Sequence, residues 1–376
     1  MSEYKPKKFG CGRYIQEPGA LAILGREATM LGAKNALVIC GKKAWDLAGE
    51  RVTASLREAG VSFERFTMVT DTTYATLEYL TGLCAEKGID LVIPVGGGKV
   101  MDMGKATSHR TGLPIITVPT STATFNCWSA MSVMYADNHK PIDRIWRDKE
   151  VDCAVVDIQL LCEAPARYFA SGVADCFAKY IETGFMMESY NLSNMNADMY
   201  TSKVLAGITN EICLNKGEKA YRDCKAHIPS QEFEDCIFSV VATTAMAAAA
   251  NYNNKKSGKD ALVASSIQLQ GCPFAHALYY ACRTEFTEET LGYLHGEIVG
   301  LGLRAAMVVY GRSEYECNNF NRFMDALDQP KTLREIGIDP TDENIERLVD
   351  SMMVVWGKHP DAHRPIMRKA MELIRG

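Results

Sequence analysis

The chain has 376 residues, 47% hydrophobic and 23% charged, an ordinary globular composition at a length that suits about two domains. A net charge of −5 gives no general basic field for DNA, RNA or an anionic membrane, so neither nucleic acid nor membrane is expected as a partner. The 13 cysteines are odd in number and contain no C-x-x-C pair, which argues against a disulfide framework and for reduced thiols in a cytoplasm. Residues 1–9 are polar and lysine-rich and lack the apolar core of a signal peptide.

Along the chain, residues 36–40 read as a strand, 44–59 as a helix, 61–69 as a strand and 74–87 as a helix. Residues 91–95 are a strand, 99–111 a helix and 114–118 a strand. Such alternation specifies a parallel sheet covered on both faces. A polar loop at 120–124 follows, then strands at 131–135 and 153–157, with a hairpin turn at Asp137-Asn138. Beyond Leu160 strand patterns vanish. Helical periodicity runs from Ala166 onward, with breaks expected at Gly217-Glu218, Ser257-Gly258, Pro273 and Pro340. The expected architecture is an α/β domain over 1–160 and an all-α domain over 161–376. The alanine-rich stretch 240–250 is too short to span a bilayer and reads as a buried helix.

The apolar strand at 91–95 runs directly into Gly96-Gly97-Gly98-Lys99 and a helix. Glycines let a ligand approach the backbone, and the helix start presents free N–H groups and a positive dipole end. The arrangement suits a phosphate or pyrophosphate, although it is neither G-x-G-x-x-G nor a P-loop. A ligand-free glycine turn stays open as an alternative. Ligands of open sheets sit outside the carboxyl ends of the strands. This turn and the loop after Pro119 should therefore share one rim, facing a cleft between the domains.

Asp175, His276 and His295 in the helical half could together hold a metal with one position open, as catalytic zinc sites do. Their spacing matches no local zinc signature. The residues alone equally allow hydrogen-bonded core histidines and a helix-capping aspartate.

Several segments resemble one family. They are V-G-G-G-K-V-M-D at 95–102, V-P-T at 118–120, S-A-M-S-V at 129–133, G-V-A-D at 172–175, A-H-A at 275–277 and H-G-E at 295–297. In this order, over nearly the whole chain, they resemble the glycerol dehydrogenase branch of the iron- or zinc-dependent alcohol dehydrogenases. The resemblance implies an N-terminal dinucleotide-binding domain and a helical C-terminal domain, the glycerol dehydrogenase-like or dehydroquinate synthase-like fold, in a homo-oligomer. It implies hydride transfer between NAD(P) and a small alcohol, polyol or hydroxy acid and its carbonyl compound, with one divalent metal. Carried over, the catalytic metal ligands are Asp175, His276 and His295. The pyrophosphate falls on the Gly96–Lys99 turn, at Gly97, Gly98 and Lys99. Thr120 and Ser121 line the cofactor, and Asp102 supports the turn. Zinc is the expected metal, with iron, nickel and manganese also suited to these donors.

Three positions depart from the family pattern. Lys179 stands where the iron-using branch commonly has a histidine ligand, which favours a three-ligand zinc-like site; a plain charge partner of Asp175 or Glu182 is the alternative. Gly41-Lys42-Lys43 lacks the acidic residue that holds the ribose of NAD, and its cations suit the 2′-phosphate of NADP(H). Phe125, with Trp128 beside it, replaces a polyol-facing aspartate. This narrows the expected substrate pocket and favours small hydroxy acids, aldehydes or ketones over glycerol, unless both rings serve packing. The superfamily also holds sugar-phosphate cyclases of the dehydroquinate synthase type. Those gather cations about a phosphate, and only Arg283 and Lys179 lie near the expected metal ligands in sequence. A dinucleotide-binding module without chemistry would require the Asp175–His276–His295 set to be structural.

Overall fold

The computed structural model describes residues 10–187, 197–252, 274–355 and 361–376. The lysine-rich start and the expected breaks at Ser257-Gly258 and Pro273 lie outside these residues. Two compact units form, one from residues 1–166 with 222–245, the other from 167–221 with 246–376. The sequence reading puts a single boundary near residue 160. The fold instead returns a later helical segment to the first unit.

In the first unit, strands β1 (Arg13–Glu17), β2 (Asn35–Gly41), β3 (Ser62–Met68), β4 (Leu91–Gly96), β5 (Ile116–Pro119) and β8 (Cys153–Asp157) make one parallel sheet, ordered β1-β8-β5-β4-β2-β3. Helices α1 (Leu24–Met30), α2 (Lys42–Glu58), α3 (Tyr74–Lys87) and α4 (Gly98–Thr111) connect successive strands, and α5 (Ile158–Glu163) follows β8. Strand β4 is buried throughout, as a central parallel strand covered on both faces must be. Val38, Ile93, Val118 and Val155 pack with Ala48, Val52 and Leu56 of α2 in one apolar core. The register pairs Cys40 with Val95 and Gly96 with Pro119, so β2, β4 and β5 end on one rim. Strands β6 (Met131–Tyr135) and β7 (Pro141–Trp146) form a separate antiparallel hairpin, and its turn places His139 at φ +64°. The returning segment packs on the sheet edge. His227 Nδ1 lies 2.8 Å from the Cys162 carbonyl, and Gln16 of β1 donates to the Glu234 carbonyl at 3.0 Å.

The second unit is helical. It contains α6 (Ala166–Met187), most of α7 (Ala197–Lys225), α10 (Phe274–Glu285), α11 (His295–Val309), α12 (Glu314–Ala326), α13 (Asp342–Met352) and α14 (Arg364–Leu373). The expected break at Gly217-Glu218 is absent, and α7 runs straight through it. Gly217 serves contact instead of termination: a Cβ there would lie 2.9 Å from the Phe323 ring. The break at Pro340 is real, and Thr341 caps the next helix through Asn344 N. Helices α8 (Gln231–Phe238) and α9 (Thr244–Tyr252) join through a π-helical turn at Ser239–Thr243. Gln231–Ala250 is therefore longer than the sequence reading allows, and by length and composition could cross a membrane. Its most apolar window is 72% buried inside the protein, which marks a core helix.

Candidate metal centre and dinucleotide cradle

The metal candidates converge in the second unit. Asp175 lies in the middle of α6, His276 in the first turn of α10, and His295 is the first residue of α11. His295 Nε2 lies 3.1 Å and His276 Nε2 3.8 Å from Asp175 Oδ1. One ligand atom from each residue falls within 4.8 Å of the others. Oδ1 is buried, yet among the described residues it makes no aligned hydrogen bond. A buried carboxylate oxygen left this way is costly unless a cation completes it. One oxygen and two imidazole nitrogens are a donor set that divalent zinc or iron accepts. Burial alone would raise the Asp175 carboxyl. The neighbouring His295, His276 and Lys179 outweigh it and hold the group down at about 2, so it is available as an anion.

Local contacts hold the ligands in place. Gly296 N donates to Ser171 Oγ at 3.1 Å, tying the start of α11 to α6. Arg167 forks onto Glu297 at 2.8 and 2.7 Å, and Glu297 accepts from Leu294 N at 2.7 Å. Arg283 donates to the carbonyls of Thr290 and Tyr293 at 2.7 and 2.6 Å, fixing the loop that enters His295. The Tyr279 ring stands edge-on to His295, 4.1 Å between centroids. Glu182 accepts from Ala275 N and faces His276 Nδ1, both at 2.7 Å. Apart from Lys179, none of these supporting residues had a role in the sequence reading beyond Glu182 as a charge partner and Arg283 as a phosphate candidate.

The cradle lies in the first unit. Gly97 caps α4 and Gly41 caps α2, and neither helix has a side-chain cap or an acid in its first turn. Helices α3 and α5, by contrast, are capped by Thr73 and Asp157. The free N–H groups of α2 and α4 thus face the rim uncapped. A Cβ on Gly97 would meet only Ser121 at 3.8 Å, and one on Gly98 only Asn126 at 3.6 Å and Thr124 at 3.9 Å. Gly97 has φ −88°, so it needs no glycine conformation. Neither glycine is therefore required by packing within the chain. Gly96 differs, because its Cβ would clash with Val100 at 2.8 Å. Thr120 N donates to Gly96 O at 2.9 Å, and Ser121 Oγ accepts from Ala123 N at 3.2 Å. Around Gly41 a Cβ would meet nothing within 4 Å, and Lys42 and Lys43 are exposed.

Two expected cofactor residues are engaged elsewhere. Lys99 forms an ion pair with the buried Asp71, which also accepts from His139. Asp102 is buried beside Lys105, 3.3 Å away. Lys105 is wholly buried and donates to the Asn126 carbonyl at 3.0 Å and to the Met131 carbonyl. Burial pushes the Asp102 carboxyl up and the Lys105 ammonium down. Asn126 Nδ2 in turn donates to Gly98 O at 3.0 Å. Asp102 thus reaches the glycine turn through Lys105 and the loop. In that loop Trp128 packs on Tyr14 with ring centroids 4.9 Å apart, and its backbone N–H donates to the Phe125 carbonyl at 3.1 Å.

Residues 11–158 match the family model of iron-containing alcohol dehydrogenases. The chain is 27% identical over 342 residues to the glycerol dehydrogenase of Thermotoga maritima, covering 90% of this chain and 87% of that protein. It is 26% identical over 326 residues to the glycolaldehyde reductase of Halobacterium salinarum, covering 86% and 83%. Its fold superposes on a probable glycerol dehydrogenase from Sinorhizobium meliloti with a TM-score of 0.79, at 22% identity, covering 99% of this chain and 98% of that one. The chain is thus similar to iron-containing alcohol dehydrogenases over residues 11–158 and to glycerol dehydrogenases over nearly its whole length.

Proposed function

We propose that the protein is a metal-dependent, NAD(P)-linked oxidoreductase that interconverts a small alcohol, polyol or hydroxy acid with its carbonyl compound. The observation that carries this reading is the Asp175 oxygen facing two imidazole Nε2 atoms with no aligned hydrogen bond. When bound, the metal polarises the substrate oxygen and the nicotinamide exchanges a hydride with the adjacent carbon. Asp175, His276 and His295 hold the metal, which we take to be zinc. Gly97 and Gly98 admit the pyrophosphate to the uncapped start of α4. Open space at Gly41 and the cations Lys42 and Lys43 favour NADP(H). The absence of an acid at Phe125 favours small hydroxy acids, aldehydes or ketones over glycerol. The cyclase alternative loses support because Arg283 is committed to two backbone carbonyls. The scattered cysteines, with no C-x-x-C pair, favour a reducing cytoplasm.

The test uses the purified full chain. Metal analysis should find one divalent ion, and chelation should abolish activity that zinc or iron restores. NADPH should bind more tightly than NADH, and small carbonyl compounds should be reduced faster than glycerol is oxidised. Tighter NADH binding ends the NADP assignment. Efficient glycerol oxidation with NAD ends the substrate assignment. No metal binding and no turnover would end the enzyme reading.

A further inference from the structure

We propose that Glu182 is a positioning residue of the metal centre, fixing the His276 tautomer so that Nε2 presents its lone pair. The inference rests on the metal reading of Asp175, His276 and His295. Glu182 lies two helical turns after Asp175 on α6 and is only 4% exposed. Its Oε1 accepts from Ala275 N and its Oε2 sits at His276 Nδ1, each at 2.7 Å. An ionised carboxylate only accepts, so Nδ1 carries the ring proton. A neutral imidazole holds one such proton, which leaves the Nε2 lone pair directed to the side of Asp175 Oδ1. Asp175 Oδ1 lies 3.8 Å from that Nε2, beyond hydrogen-bond reach.

One carboxylate therefore does two things. It satisfies a first-turn amide of α10, where negative charge suits the helix dipole, and it orients the ring carried by that same turn. Turning the ring means unseating the helix start. Carboxylate–histidine–metal arrangements work in this way, and losing the outer group typically weakens metal binding about 10–100-fold.

The experiment measures zinc affinity of the metal-stripped full chain by competition with a chromogenic chelator. Glu182→Gln keeps the shape, but its amide can offer an oxygen to only one of the two N–H donors. It should weaken zinc binding about 10–100-fold. In a His276→Ala background the same change should cost less than about threefold more, because its effect passes through the ring. Zinc affinity within about threefold of the parent in Glu182→Gln would overturn the proposal, as would undiminished cost in the His276→Ala background. If Glu182→Gln does not fold, nitrogen-15 spectra of the metal-free parent decide, with His276→Gln assigning the signal. An Nδ1–H tautomer supports the proposal, and an Nε2–H tautomer overturns it. A parent chain that binds no zinc, iron, nickel or manganese overturns the metal reading itself; tight binding with an indifferent Glu182→Gln overturns only the role of Glu182.

Discussion

Gly296 has no room for a side chain: a Cβ there would lie 1.8 Å from the Ser171 carbonyl oxygen. This approach seats the first turn of α11 on α6 and thereby sets His295 beside Asp175. The obstacle is backbone, which cannot swing aside. Gly296→Ala should therefore cost at least the roughly 1–3 kcal/mol typical of overpacking. Because the displaced turn carries His295, a proposed ligand, zinc affinity should fall together with the thermal midpoint. Calorimetry and chelator competition on the same preparation check this. A destabilised variant with parental zinc affinity would show that the contact serves stability alone.

Lys105 makes a comparable pillar in the first unit. Its ammonium is fully buried and joins Asp102 to the carbonyls of Asn126 and Met131. Lys105→Met removes one partner and strands the others, which typically costs about 3–5 kcal/mol. Replacing both charges, in Lys105→Met with Asp102→Leu, should recover part of that loss, since an apolar pair leaves no buried charge unpaired. Urea unfolding of the parent and three variants tests this. Simple additivity of the two single losses would mean that the charges do not act as a pair.

The central strands were legible because burial on both faces writes β2 and β4 as continuous apolar runs. Strand β1 was not, because R-Y-I-Q-E is half-exposed and pairs with β8, a partner far along the chain. Gly217 misled for a similar reason. A helix-breaking residue in the local pattern is held in mid-helix by contact with Phe323, which no local window contains. The proposed metal ligands come from three helices, so spacing was silent and family resemblance alone brought Asp175, His276 and His295 together. Glu182 and Lys105 look like ordinary helix-surface charges in sequence. Only tertiary packing buries them and gives each its partners.

Asp71 gives a prediction about pH. Burial alone would raise its carboxyl, but hydrogen bonds from Lys99 and His139 outweigh that and hold it below its ordinary value of 3.8. The unfolded chain then takes up the proton at higher pH than the folded one. The stabilisation is fully present above about pH 3.8 and is lost as the pH falls through the lower folded value. Asp71→Asn should cost about 1.5–3 kcal/mol at neutral pH, as for hydrogen bonds to a charged group. The gap between parent and variant should narrow on acidification below about pH 3.8. Urea midpoints across that range measure it, and a gap that stays constant would remove the linkage.

The cradle can be separated from the fold at Gly97 and Gly98. An alanine methyl at Gly98 would touch only Asn126 at 3.6 Å and Thr124 at 3.9 Å, which is ordinary contact. At Gly97 it would touch only Ser121 at 3.8 Å, from a backbone at φ −88° that alanine adopts freely. Both alanine variants should fold, with stability unchanged or up to about 1 kcal/mol higher because the unfolded chain loses freedom. The same methyl would stand where a pyrophosphate must approach the start of α4. Nicotinamide dinucleotide affinity, read by fluorescence titration, should therefore fall by about tenfold or more. Stable variants with parental affinity would show that the dinucleotide does not use this turn. Variants that lose stability and affinity together would show that the glycines serve the fold, so the two readouts have to move apart for the cradle to stand.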